Sequence, residues 1–106
     1  MTDSTTVDSS DDRIIHDEAH QRYVLMRGDR ELGHEEYDVR NGVIRFIHTT
    51  VPDIGERGLG AKLVAGALAD VRVKNQQVIP VCPFVKRFIE KNAEYQDLLA
   101  IPLDEL

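Results

Sequence analysis

The apolar positions divide the chain into two regimes. Between residues 22 and 51 they come in short runs of branched and aromatic side chains, and from residue 59 they recur every three or four positions. Residues 22–27 (RYVLMR) form a run closed by Gly28-Asp29, a turn signal. Residues 31–39 (ELGHEEYDV) alternate loosely, with Leu32, Tyr37 and Val39 as the apolar members. Asn41-Gly42 is the strongest short hairpin signal there is. Residues 43–51 (VIRFIHTTV) have the β-branched and aromatic content of a strand. Three antiparallel strands are predicted. Pro52 ends the third, because it has no amide hydrogen to give to a ladder.

After the loop PDIGERG, Leu59, Leu63, Val64, Ala67, Leu68 and Val71 predict a helix over residues 59–74. Arg72 and Lys74 fall in its last turn, where cations suit the helix dipole. Gly66 in its interior costs about 1 kcal/mol relative to Ala, which points to a close packing contact. Residues 77–81 (QVIPV) read as a fourth strand, with Pro80 implying irregular or edge-like pairing. Cys82-Pro83 opens a second helix over residues 84–91, with Pro83 well placed at its first position. Phe84 and Phe88 are expected to face inward, with Val85 and Ile89 as further candidates. Residues 95–106 hold a short helical turn and a tail broken by Pro102. The order β-β-β-α-β-α predicts an α+β fold, a mostly antiparallel sheet with two main helices packed on it.

Composition narrows the function classes. A chain of 106 residues suits one domain. Residues 1–12 (MTDSTTVDSSDD) hold four Asp, no Lys or Arg, and one large apolar side chain besides the initial Met, so a disordered acidic tail is expected there and a folded domain over residues 13–106. The formal net charge of −6 disfavours binding to nucleic-acid phosphates. The single cysteine, Cys82, excludes an internal disulfide and a structural zinc site built on cysteines. No apolar run approaches the roughly 20 residues of a membrane span, and no basic-then-apolar leader is visible. An intracellular, reducing setting, the cytoplasm, is the expectation, with no membrane partner and a monomer or weak homodimer as the state.

Gly55-Glu56-Arg57-Gly58-Leu59-Gly60-Ala61, between strand and helix, is the sharpest constellation. A glycine-rich turn into a helix aims unpaired N–H groups and the positive dipole end outward, which suits a diphosphate. Arg57 and Lys62 add positive charge. The alternative is a tight turn with no ligand. No Gly-Lys-Ser/Thr follows, so this is not a Walker loop, and the dinucleotide fingerprint lacks its third glycine.

FIHTTVP, RGLGAKLVAGAL and VIPVCPFVKRFIEKN, in this order, resemble the small single-domain, YjdJ-type members of the GNAT acetyltransferase superfamily; the likeness covers roughly residues 23–98. The resemblance implies acetyl-CoA as cofactor, with its diphosphate on the backbone of Arg57, Gly58, Leu59, Gly60, Ala61 and Lys62. It implies a pantetheine arm near residues 48–51, with Thr50, Val51, Cys82 and Phe84 beside the cofactor. It further implies N-acetylation of a small or amine acceptor. The chain departs from the superfamily in two places. Gly55 stands where the loop usually begins with Arg or Gln, and Phe88-Ile89-Glu90 stand where larger members often place a tyrosine acid.

Cys82 and His48 are the candidate catalytic residues. Cys82 sits at a helix start, which favours a thiolate, with Lys86 and Arg87 one turn along; it reads either as a nucleophile or as a small buried apolar residue. His48 reads as a general base or as a packed strand histidine. His34, Glu36 and Asp38 share one strand face and Glu35 the other; they read as bases acting through water or as a solvated surface. His16 and His20 have the spacing of a helical metal clamp but no third ligand, so no metal is expected. An acyl-CoA-binding module without turnover is the second reading, and an adaptor working through the acidic tail a third.

Overall fold

The computed structural model describes residues 11–106. Five strands form one sheet in the order β1-β2-β3-β4-β5. β1 (Asp12–Asp17), β2 (Arg22–Arg27), β3 (Arg30–Arg40) and β4 (Val43–Thr50) make an antiparallel meander. α1 (Leu59–Val73) then crosses over, and β5 (Gln77–Pro80) pairs parallel to β4. α2 (Pro83–Lys91) and short 3₁₀ turns at Ala93–Leu98 and Leu103–Glu105 complete the chain. The predicted α+β class holds, and the order gains a leading strand: β-β-β-β-α-β-α. Asp12 belongs to this strand, so the expected tail ends at least one residue earlier; residues 1–10 lie outside the described part.

The hairpin at Asn41-Gly42 has positive φ at both residues, 52° and 79°, as a type I′ turn requires. The core lies between one face of the sheet and the two helices. Tyr23, Leu25, Leu32, Tyr37, Ile44 and Phe46 from the strands meet Leu63, Val64, Leu68 and Val71 of α1 and Val85 and Ile89 of α2. On α2 the inward residues are Val85 and Ile89, both fully buried, whereas Phe84 is 44% exposed, a correction to the expected inward Phe84. Val85 and Ile89, one turn apart, take the buried stripe of this short helix, which leaves Phe84 at its margin.

The β2–β3 register shifts at Leu25/Met26, and two further irregularities lie at β4. The β3–β4 register steps from Tyr37↔Phe46 to Glu36↔His48, so Ile47 is an extra residue on β4, a bulge. The β4–β5 pairing runs only from Val43↔Gln77 to Phe46↔Pro80. Past Phe46 the two strands part, and the amide of Cys82 closes the junction by donating to the Phe46 carbonyl at 2.8 Å. On its other side β5 meets the chain end: the amide of Ala100 donates to the Val78 carbonyl at 2.9 Å.

Candidate functional site

The glycine-rich turn leads into α1 as expected. Gly55 and Gly58 have φ of 78° and 82°, the left-handed region that glycine tolerates. Among the described residues nothing lies within 4 Å of where a side chain on either would start, so the turn is open there. Gly58 caps α1, and no side chain hydrogen-bonds the cap. The N–H groups of Leu59, Gly60 and Ala61 have no partner within the helix, whereas the Lys62 amide donates to the Gly58 carbonyl at 2.9 Å. Gly60 is buried against Phe84, whose ring carbon is 2.7 Å from where a Cβ on Gly60 would sit. Phe84, Ala61, Arg87, Phe88, Lys91 and Asn92 line a cavity of about 490 Å³ beside this helix start.

The charges around the turn are arranged differently from the sequence expectation. Lys62 is tied to Asp12 of β1 at 2.5 Å, and Arg27 bridges Asp12 and Glu56, each at 2.7 Å. The Arg27 hydrogen bond, followed by Lys62, holds the Asp12 carboxyl well below the usual carboxylate range. The positive charge of Lys62 is therefore spent inside the protein. Arg57 is exposed and has no ion-pair partner among the described residues.

The parting of β4 and β5 brings Cys82 to Thr49. Cys82 caps α2, is 5% exposed, and its Sγ lies 3.2 Å from the Thr49 hydroxyl. Lys86 does not reach the thiol; its ammonium donates to the Leu106 carbonyl. The Thr49 hydroxyl also hydrogen-bonds Glu35, its direct cross-strand partner. Glu35 is completely buried, and its second oxygen, Oε2, has no hydrogen-bond partner among the described residues. Burial pushes its carboxyl up to about 8, over the opposing effect of the Thr49 hydrogen bond. Reading residues 34–38 as a solvated face therefore fails at Glu35. The period-two alternation that separates it from His34 and Glu36 was the available signal.

His48 lies on the other face. It is exposed and pairs across the strands with Glu36, whereas Glu35, Tyr37, Phe46 and Thr49 face the helices. The bulge at Ile47 is what sets His48 and Thr49 out of the alternation begun by Ile44 and Phe46. Thr50 and Val51 are exposed where the chain leaves β4. There it crosses tightly over β3: the Thr50 carbonyl is 2.6 Å from where a Cβ on Gly33 would sit.

His16 and His20 do not share a helix; one is in β1 and the other in a 3₁₀ turn. His16 stacks on Tyr23 with ring centroids 4.3 Å apart, and Tyr23 donates to Asp70 of α1 at 2.6 Å. This cluster sits at the end of α1 away from the glycine turn. It fastens β1 and β2 to the helix.

A family model for GCN5-related N-acetyl-transferases matches residues 22–98. Among solved structures, the chain is similar to the NMR structure of a GCN5-like candidate N-acetyltransferase from Staphylococcus aureus, at 30% identity and a TM-score of 0.64 over 85% of this chain and 89% of that one. No curated protein matches in sequence.

Proposed function

Since the chain belongs to the GCN5-related N-acetyltransferase family, we propose that it transfers the acetyl group of acetyl-CoA to a small or amine acceptor, as a YjdJ-type member of that family. The observation that carries the proposal is the coincidence of two openings. The glycine turn presents unpaired amides at the start of α1, and the sheet parts past Phe46 and Pro80 with Cys82 at the junction.

The residues present fit the donor. Backbone N–H groups of residues 57–61 would hold the diphosphate, the Lys62 amide being already given to the Gly58 carbonyl at 2.9 Å, with Arg57 supplying the nearby unpaired charge. Room exists, because Gly55 and Gly58 border open space, whereas Gly60 is closed off by Phe84. Thr50 and Val51 would flank the pantetheine arm where β4 runs on alone, and Phe84 would border it at the base of α1. Bound acetyl-CoA supplies an activated thioester. The protein's own groups then divide by face. His48 lies beside Glu36 on the open side, and would take a proton from an arriving amine. Cys82, with Thr49, stands on the helix side, where the thioester would meet it. The acidic balance of the chain favours a cationic acceptor.

Calorimetric titration with acetyl-CoA, followed by a thiol-release assay against a panel of amines, tests this reading. Binding with release is the expected result. Binding without release from any amine would point instead to a non-catalytic acyl-CoA-binding module, and no binding would end both readings.

A further inference from the structure

We propose that Glu35, Thr49 and Cys82 form a proton relay, in which the Glu35 carboxyl is the store and the Cys82 sulfur the outlet at the parting of β4 and β5. Its purpose rests on the acyl-transfer reading above; its existence rests on the arrangement of the three side chains.

Glu35 and Thr49 face each other across β3 and β4 and are hydrogen-bonded, and the same hydroxyl reaches the Cys82 sulfur at 3.2 Å. A hydroxyl can donate to one neighbour while accepting from the other, so the direction of the chain reverses without any atom moving far. Glu35 is completely buried with Oε2 unpartnered. A buried carboxylate with a bare oxygen is far less favourable than a neutral acid, so the resting form holds the proton. Burial keeps that carboxyl protonated up to about pH 8.

The surroundings supply no charge to reverse this. From β2 the partner opposite Glu35 is Tyr23, whose hydroxyl is committed to Asp70. From β4 and the start of α2 come Thr49 and Cys82. The buried side chains of α1 are all apolar. The neighbouring Glu36 is exposed on the opposite face and raises the Glu35 carboxyl further. α2 (PFVKRFIEK) carries no hydroxyl or thiol of its own.

In transfer, the sulfur of the donor leaves with an electron pair. The Cys82 S–H bond breaks toward that sulfur, the Thr49 O–H breaks toward Cys82, and the Glu35 O–H breaks toward Thr49. The departing thiol has gained one proton, Glu35 has become a carboxylate, and Cys82 and Thr49 are unchanged. Once the cleft is vacated, solvent gives a proton to the Cys82 sulfur, the Cys82 proton passes to Thr49 and the Thr49 proton to Glu35, so the buried carboxyl is refilled by the same path in reverse. Glu35 acts through two other residues and touches no substrate, so it is a positioning residue.

The test begins on the free protein. Side-chain carboxyl NMR of glutamate-labelled wild type, E35Q, T49V, T49S and C82A should show one carboxyl titrating near pH 8 that E35Q abolishes. Its midpoint should move by half a pH unit or more in T49V, stay near wild type in T49S, and move detectably in C82A. An unmoved midpoint in C82A overturns the relay. With acetyl-CoA and a competent amine, kcat should fall above about pH 8. E35Q should lower kcat ten- to a hundredfold, with KM for acetyl-CoA within twofold, and should remove that alkaline limb. A limb that survives in E35Q also overturns it. If wild type transfers nothing while C82A still shifts the midpoint, the relay stands and the acyl-transfer reading falls.

Discussion

Ile14 of β1 lies directly over Gly66 of α1: its Cγ1 is 2.2 Å from the place where a β-carbon on that glycine would begin. The helix and the first strand touch there through backbone on one side. Gly66→Ala gains helix propensity, worth about 1 kcal/mol, and forces Ile14 or the helix aside, worth about 1–3 kcal/mol in the other direction. Net destabilisation is expected in urea unfolding, with partial recovery in Gly66→Ala combined with Ile14→Ala. A Gly66→Ala protein as stable as wild type would show that β1 does not press on the helix.

That contact also shows where reading the sequence stopped. The glycine announced a close approach, but its partner was invisible, because DRIIHD offers two adjacent isoleucines and no alternation. Only Ile14 turns inward, and Ile15 is 39% exposed, as befits an edge strand with one neighbour. The hairpin, α1 and the start of α2 were legible from turn chemistry and period. The candidate site was legible only in part. The glycine turn, His48 and Cys82 all declare themselves by residue type. Glu35 does not, since a glutamate among His34, Glu36 and Asp38 resembles a wet surface, and its burial depends on long-range contacts. Lys62 misled in the opposite sense: its partner, Asp12, is 50 residues away in sequence.

Glu35 makes stability depend on pH. In the unfolded chain its carboxyl ionises near 4.5, and in the fold it stays protonated until about 8. Folding therefore takes up a proton between these values, and stability falls as pH rises through that window and levels above it. The full effect is at most about 5 kcal/mol by linkage. Glu35→Gln, neutral throughout, should flatten the dependence and exceed wild type in stability at pH 9. Parallel curves from pH 5 to 9 in chemical denaturation would contradict the buried acid.

The glycine turn separates ligand binding from folding. Gly58→Ala meets no atom within 4 Å but keeps φ at 82°, so its cost is strain of about 1 kcal/mol. If the open amides hold a diphosphate, the added methyl group stands in its way. Affinity for acetyl-CoA should drop at least tenfold by calorimetry, while the melting temperature shifts by only a few degrees. Equal affinity in the variant would place the diphosphate elsewhere.

Lys62 and Arg57 should part company in the same assay. With its charge held by Asp12, Lys62→Met should leave acetyl-CoA affinity within threefold but lower stability by about 1 kcal/mol. Arg57→Ala should do the reverse, costing five- to tenfold in affinity and little in stability. Asp12→Asn should also destabilise at neutral pH. Because the Asp12 carboxyl is held below its ordinary 3.8, its difference from wild type should narrow as the pH falls below that value.

The border of the sheet at β5 has a further consequence. The Val78 carbonyl is already taken by Ala100, and Pro80, two residues on along the same edge, has no amide hydrogen to offer. A foreign strand arriving there finds no continuous row of donors and acceptors to copy. Crowding the protein is therefore not expected to seed strand-by-strand assembly from that margin; among the described residues the other edge of the sheet is β1, where the exposed Arg13 puts a charge in the way of a stacking strand.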